Sequence, residues 1–128
     1  MVSEFNSGIE RMKMFVDVPE VYLCNQFVDF RKSINGLAAI VESELELPVL
    51  SGAVFVFCNK SRDKLKLLYW DNTGFALWYK RLDKDKFKWP KKLNSQTMHL
   101  TEQQLHWLLS GFDVIGHQQI NTNNAAII

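Results

Sequence analysis

A continuous apolar segment in the middle of the chain restricts the fold more than any other feature. Residues Ala53 to Cys58 are an unbroken run of Ala, Val, Phe and Cys, with Gly52 before them and Asn59 after them. A short run of this composition, bounded by turn-forming residues, is typical of a strand that is buried on both faces. The sequence therefore predicts a central β-strand here.

A hairpin is predicted directly downstream of this strand. Residues 65–70 and 75–82 are two runs in which side chains alternate between two faces, and they are separated by the tetrad DNTG at 71–74. Asp at the first position of a turn and Gly at the last are typical of the tight turns that join antiparallel strands. The two runs are therefore expected to pair with each other.

Two further strands are predicted on either side of this hairpin. A charged turn at 83–86 leads to a short strand at 87–89, which Pro90 ends. Residues 21–24 form a short apolar strand near the start of the chain. The predicted fold class is α+β, with a mainly antiparallel sheet of about four to five strands and two amphipathic helices packed on it.

The first helix is predicted from an apolar stripe with spacings of three and four, at Phe30, Ile34, Leu37, Ala38, Val41 and Leu45. Asp29 can cap its start, and Pro48 ends it. Arg31 and Lys32 then lie in the first turn, where the helix dipole disfavours cations. Two explanations are open for these two cations. They form ion pairs with Asp29 or another acidic neighbour, or they bind an anion at the helix start. Gly36 is expected to allow close packing of this helix on the sheet.

The second helix carries clear start and stop signals. Thr101 and Gln104 have the spacing of a capping box, and Leu100 can pack on Leu105 as a hydrophobic staple. Gly111 is a candidate C-terminal stop. The expected buried stripe is Leu105, Leu108, Leu109 and Phe112.

The chain has 128 residues, which is enough for one domain of ordinary size. We expect a single domain at 13–116, a flexible leader at 1–12 and a flexible tail at 117–128. No apolar run approaches the roughly 20 residues of a membrane span, and the start lacks the apolar core of a secretory signal. We therefore expect a cytoplasmic protein with no membrane partner.

Catalytic and metal-binding motifs are not evident. The three histidines lack the close spacing of a zinc motif; they are His99, His106 and His117. The two cysteines, Cys24 and Cys58, are 34 residues apart and are expected to be small core residues. No nucleophile elbow or glycine-rich phosphate loop occurs. The sequence predicts no enzyme activity, no catalytic residues, no metal and no cofactor.

The net charge of +1 conceals an uneven charge distribution. Residues 60–92 contain eleven basic and four acidic residues, a net charge of +7, whereas the rest of the chain has a net charge of −6. Clustered cations are the electrostatic signature of proteins that contact phosphates. The candidate DNA-binding residues are Arg31, Lys32, Lys60, Arg62, Lys64, Lys66, Lys80, Arg81, Lys84, Lys86, Lys88, Lys91 and Lys92.

Aromatic side chains are interleaved with these cations. Trp70, Trp78 and Trp89 are candidates for base stacking or for a protein interface. Strand alternation predicts that Lys66 and Lys80 share a face with Trp70 and Trp78. The structural alternative is that the Trp side chains pack under a helix while the Lys side chains extend past them to water.

The order and spacing of four segments, 29–41, 52–82, 87–90 and 100–113, resemble the TnpB or Orf2-like accessory proteins of IS66-type insertion sequences. The resemblance runs from about Pro19 to Asp113. It implies a protein that accompanies a separate, larger transposase and has no agreed catalytic residues. The expected function is non-catalytic assistance of transposition, with DNA at insertion-sequence ends and the companion transposase as partners. The alternative is an adaptor that contacts the transposase and never touches DNA.

Overall fold

The computed structural model describes residues 20–90 and 95–114 of the chain. These residues form an α+β fold, as predicted. The elements are β1 (Val21–Cys24), helix α1 (Ile34–Ala39), which continues into a π-helical segment (Ile40–Glu44), β2 (Val54–Cys58), β3 (Lys64–Trp70), β4 (Phe75–Arg81), β5 (Thr97–Leu100) and helix α2 (Glu102–Leu109). The leader and the tail predicted from the sequence lie outside the described residues, and the domain limits 13–116 stay a prediction.

The strands form one mixed sheet in the order β4-β3-β2-β1-β5. Three of its pairs are antiparallel, but β1 and β2 are parallel, with Val21 opposite Val54. A parallel pair needs a long crossover connection, and residues 25–53, which include α1, provide it. The prediction of an antiparallel sheet is therefore wrong at this pair, because a strand's own sequence does not specify the direction of a distant partner.

The predicted strand at 87–89 is not a strand. Phe87 and Trp89 are 0% and 4% exposed and lie in the same core as Leu105 and Leu108 of α2. Their alternation with charged residues reflects a loop that is anchored by two aromatic side chains. The fifth strand of the sheet is instead β5, which the sequence pattern did not predict because its four residues carry little apolar alternation.

One helix covers each face of the sheet. Val54 and Val56 face α2, whereas Phe55 and Phe57 face α1, and all four are fully buried. Full burial stabilises each such side chain by roughly 1.5–3 kcal/mol relative to exposure. The predicted central strand, buried on both faces, is thus confirmed.

Helix α1 begins later than its apolar stripe predicted. It starts at Ile34, so Asp29 does not cap it and Arg31 and Lys32 precede its first turn. The Asp29 side chain instead accepts a hydrogen bond from the backbone N of Arg31 at 2.9 Å, which forms a turn of its own. The role expected for Gly36 is also wrong, because a Cβ there would meet the Lys32 side chain at 3.2 Å rather than the sheet.

Helix α2 follows its local sequence signals. Thr101 accepts a hydrogen bond from the backbone N of Gln104, and the Gln104 side chain accepts one from the backbone N of Thr101, so the capping box is confirmed. Gly111 has φ +90°, in the left-handed conformation that ends helices. Phe112, predicted to be buried, is 48% exposed because it lies beyond this stop. Across the described residues, every helix is too short or too polar to cross a bilayer.

Candidate nucleic-acid interface

Three loops meet at one end of the sheet. β1 and β2 are parallel, β3 is antiparallel to β2, and β4 is antiparallel to β3. The C-terminal ends of β1, β2 and β4 therefore lie at the same end as the N-terminal end of β3. The loops at this end comprise residues 29–32, 59–64 and 81–88, which together we call the basic end.

The basic end concentrates the positive charge of the described residues. It contains nine basic and four acidic residues, a net charge of +5, whereas the other described residues include two basic and seven acidic ones. The charge segregation along the chain is therefore also a segregation in space. Such a field attracts polyanions.

The side chain of Asn59 organises the first part of this surface. Its Oδ1 accepts hydrogen bonds from the backbone N of Asp63 at 3.1 Å and of Lys64 at 3.0 Å. Its Nδ2 donates to Oδ1 of Asp63 at 2.6 Å, which lowers the pKa of that carboxyl. The turn places Arg62 at φ 62°, an uncommon conformation for a residue other than Gly. The loop is therefore held in one defined shape.

The loop after β4 packs against this turn. The backbone N of Leu82 donates to the carbonyl of Asp63 at 2.8 Å, and the backbone N of Phe87 donates to the carbonyl of Arg62 at 2.7 Å. The Lys86 ammonium donates to the carbonyl of Ser61 at 2.8 Å. These bonds, together with the buried Phe87 ring, join the two loops into one surface.

Two of the candidate arginines form ion pairs with nearby aspartates. Arg31 pairs with Asp29 at 2.5 Å, so the first of the two explanations for its position is confirmed. The hydrogen bonds from Arg31 lower the pKa of Asp29 to about 2. Arg81 pairs with Asp83 at 3.0 Å. Both pairs are largely exposed, so each stabilises the fold little.

Lys66 and Lys80 are engaged in the fold. Lys66 donates to the carbonyls of Phe30 at 3.0 Å and Lys32 at 2.9 Å, and its Nζ lies 4.8 Å from the centre of the Phe30 ring. Partial burial lowers the pKa of Lys66. Lys80 donates to the carbonyl of Leu109 at 2.8 Å. Both ammonium groups thus hold distant segments on the sheet.

The predicted shared face of Lys and Trp side chains is wrong. Lys66 lies opposite Tyr79, and Leu65 lies opposite Lys80. Because paired residues project to the same side, Lys66 and Trp70 are on the α1 face of the sheet, whereas Lys80 and Trp78 are on the α2 face. The error arose from the register of the hairpin, which alternation within each strand does not specify.

The tryptophans are not a stacking surface at the basic end. Trp89 is 4% exposed in the core beneath α2, so its candidate role in stacking is wrong. Trp78 is half-buried against the same core. Trp70 lies at the opposite end of β3, where it packs edge-to-face on Phe75 with ring centres 5.1 Å apart. The structural alternative therefore describes Trp78, which packs on the core beneath α2, whereas Trp70 packs on the neighbouring Phe75. Its other part is wrong, because the Lys66 and Lys80 ammonium groups bond to backbone carbonyls instead of extending to water.

The side chains of six candidate cations at the basic end make no hydrogen bond or ion pair with another described residue. They are Lys32, Lys60, Arg62, Lys64, Lys84 and Lys88. Lys91 and Lys92 lie outside the described residues.

Sequence patterns did not identify Asn59 and Phe87 as residues that shape this surface. The available signal for Asn59 was its position directly after a strand, where Asn commonly starts a turn.

Metal-binding and thiol groups provide no second site in the described chain. Within residues 20–90 and 95–114, no three His, Cys, Asp or Glu residues are grouped so that they could hold a metal ion. Cys24 and Cys58 are buried free thiols, as expected, and burial raises the pKa of Cys58 to about 12.

Comparison with known proteins places this chain in a family. The family model described as IS66 Orf2 like protein matches residues 19–119. The chain belongs to the IS66 Orf2-like family. Two proteins of Sinorhizobium fredii, the uncharacterized proteins y4jC and y4hO, are each 36% identical to this IS66 Orf2-like chain over 93 residues. The alignments cover 73% of this chain and 79% and 80% of the two relatives.

No solved structure matches this IS66 Orf2-like protein. The resemblance inferred from the four sequence segments is confirmed by the family match, which covers all of them. Membership in the IS66 Orf2-like family indicates an accessory role in transposition.

Proposed function

We propose that this protein is a non-catalytic accessory factor of IS66-type transposition that binds DNA through its basic end and supports assembly of the transposase complex. The observation that carries the proposal is the convergence of three loops into one cationic surface. Six of its cationic side chains make no hydrogen bond or ion pair with another described residue, and most other charged residues of the described chain are acidic.

The chemistry of this surface suits the phosphate backbone of DNA. Duplex DNA carries about one negative charge per 1.7 Å of axis, and binding releases the counterions that screen it. Ammonium and guanidinium groups on loops held by Asn59 and Phe87 contact phosphates without large loss of loop entropy. The proposed binding is mainly electrostatic, so it depends strongly on salt and weakly on base sequence.

The decisive experiment measures binding to insertion-sequence-end DNA over a range of salt concentrations. The test variant combines Lys60→Gln, Lys84→Gln and Lys88→Gln, which leave the Lys66, Lys80 and Lys86 hydrogen bonds intact. Its affinity is expected to fall, and the slope of log binding constant against log salt is expected to decrease by about 0.9 for each phosphate that the variant no longer neutralises.

The matched control changes the net charge equally at the opposite end of the sheet. It combines Leu50→Glu, Asn72→Asp and Gln103→Glu, all at exposed positions. Retention of the wild-type slope by the control supports the basic end as the contact surface. Equal reductions in affinity and slope in both variants would show that only net charge matters and would overturn the assignment. If the wild-type protein binds no DNA but is retained by the companion transposase, the adaptor alternative replaces the proposal.

A further inference from the structure

A small cavity adjoins the basic end. Its volume is about 130 Å³, and Lys32 is one of its lining residues. Much of the lining is apolar and includes Val28, Ile40, Leu45 and Phe57, while Gln26 and Glu44 add polar groups. A cavity that combines apolar walls with a few polar groups is typical of a ligand site.

The wall contributed by the first helix has an unusual backbone. After Ala39 the α-helix widens into the π-helical segment Ile40–Glu44, in which the backbone N of Leu45 donates to the carbonyl of Ile40 at 3.0 Å. Ile40, Glu44 and Leu45 all line the cavity. π-Helical turns are rare and occur frequently at functional sites. The widened turn thus forms one wall of the cavity.

The volume restricts what the cavity accepts. Drug-sized ligands occupy roughly 300–1,000 Å³, whereas a cavity of about 150 Å³ binds a single benzene ring. One six-membered ring therefore fits, and a two-ring system does not. Phe27 also lines the cavity and is 40% exposed, and exposed aromatic side chains are groups on which nucleic-acid bases stack.

The polar lining favours a heteroaromatic ring over an apolar side chain. The Gln26 amide both donates and accepts hydrogen bonds, and the Glu44 carboxylate accepts them. Carboxylates accept from the exocyclic amine of cytosine. Lys32 belongs both to the cavity and to the basic end, so a base in the cavity lies beside a cation that suits its phosphate. Asp29, which also lines the cavity, is paired with Arg31.

We propose that this cavity binds an unstacked pyrimidine base, with cytosine preferred, of single-stranded DNA whose phosphates lie on the basic end. The inference rests on the proposed function, because the basic end must hold the strand that delivers the base. It adds a preference for unpaired DNA and for pyrimidines, which a purely electrostatic surface lacks.

The test compares the binding of short single-stranded homopolymers of deoxycytidine, deoxythymidine and deoxyadenosine with the binding of a duplex of the same length. The wild-type protein is expected to bind the deoxycytidine strand most tightly. Ile40→Phe adds a ring to the cavity wall and narrows the cavity, and it is expected to reduce binding of this strand about tenfold or more, without changing duplex binding. Gln26→Ala, at an exposed position that needs no repacking, is expected to act in the same direction.

The matched control is Leu50→Phe, which adds the same ring at an exposed position at the other end of the sheet. It is expected to bind every probe as the wild-type protein does. Equal binding of all single strands and of the duplex by the wild-type protein would overturn the cavity proposal and leave the basic end intact. The same holds if the cavity variants change binding of neither the deoxycytidine strand nor the duplex, or change binding of both. Absence of binding to every probe would instead overturn the proposed function, and the cavity proposal with it.

Discussion

The ammonium group of Lys80, in the edge strand β4, donates a hydrogen bond to the carbonyl oxygen of Leu109, the last residue of α2, at 2.8 Å. The last carbonyls of a helix lack intrahelical partners and form the negative end of its dipole. A cation at this position therefore stabilises the helix end. It also fastens α2 to the outermost strand of the sheet.

Removal of this ammonium group should destabilise the protein without affecting its proposed DNA contacts. Lys80→Met keeps most of the aliphatic chain and is expected to lower the free energy of unfolding by about 1–2 kcal/mol. Urea denaturation followed by circular dichroism measures this change. The control Lys84→Met, at an exposed position without a hydrogen bond to another described residue, should stay within about 0.5 kcal/mol of the wild type. Equal effects of the two variants would contradict the assignment.

Lys66 and Lys64, on the same strand, provide a second comparison between a lysine that holds the fold and one whose side chain makes no hydrogen bond with another described residue. Lys66→Met removes the donor to the carbonyls of Phe30 and Lys32 and is expected to cost about 1–3 kcal/mol of unfolding free energy. Lys64→Met lies two residues away on the same face and should cost less than about 0.5 kcal/mol. In salt titrations with DNA the order should reverse, with Lys64→Met reducing the slope and Lys66→Met leaving it unchanged. A Lys66 variant with full stability would show that this ammonium does not hold the loop.

The Asp29 and Arg31 pair predicts a specific titration. Hydrogen bonds from Arg31 lower the pKa of Asp29 to about 2, below its ordinary value of 3.8. The charged carboxylate is thus favoured by the fold, so its contribution to stability is present above about pH 4 and is lost as the pH falls toward 2. NMR titration of the Asp29 carboxyl should show a midpoint near 2, and Arg31→Gln should move it toward 3.8. An unchanged midpoint in the variant would rule out the ion pair in solution.

The two thiols should be inert in the folded protein. Cys24 and Cys58 are 2% and 0% exposed, and burial raises both of their pKa values, that of Cys58 to about 12. The thiolate is the reactive species, so neither residue should react with a disulfide reagent at neutral pH. In denaturant, both thiols should react. Rapid modification of one thiol under native conditions would indicate an opening of the β1 or β2 region that the fold does not show.

Local signals in the sequence predicted several elements correctly. The apolar run at 53–58, the DNTG turn at 71–74 and the capping box of α2 each depend on residues that are close in sequence. The errors arose where a distant partner decides the outcome. The parallel pairing of β1 with β2 depends on the crossover, and Phe87 and Trp89 are buried because α2 packs over them.

The candidate interface shows the same division. The distribution of charge along the sequence identified a cationic segment, and strand topology then brings most of it to one end of the sheet. Which lysines hold the fold together is decided by carbonyl oxygens far away in the chain, such as those of Phe30 for Lys66 and Leu109 for Lys80. A sequence pattern carries no information about these oxygens. The candidate cations predicted from the sequence therefore form one set, which includes both the lysines that hold the fold together and those whose side chains make no hydrogen bond with another described residue.

The loop network around Asn59 leads to a final prediction that links stability to binding. Asn59→Ala removes the acceptor of two backbone N–H groups and the donor to Asp63, and it is expected to lower the unfolding free energy by about 1–2 kcal/mol. It should also weaken DNA binding by a few-fold at temperatures where the variant is fully folded, because Arg62 and Lys64 lose their fixed positions and must be ordered on binding.

The measurements for Asn59→Ala are urea denaturation and a DNA titration of the same sample. The matched control is Thr101→Ala, which removes the α2 cap at a similar cost in stability but lies away from the basic end. Weakened DNA binding by Thr101→Ala to the same extent would mean that general destabilisation, and not the shape of the basic end, accounts for the Asn59 effect.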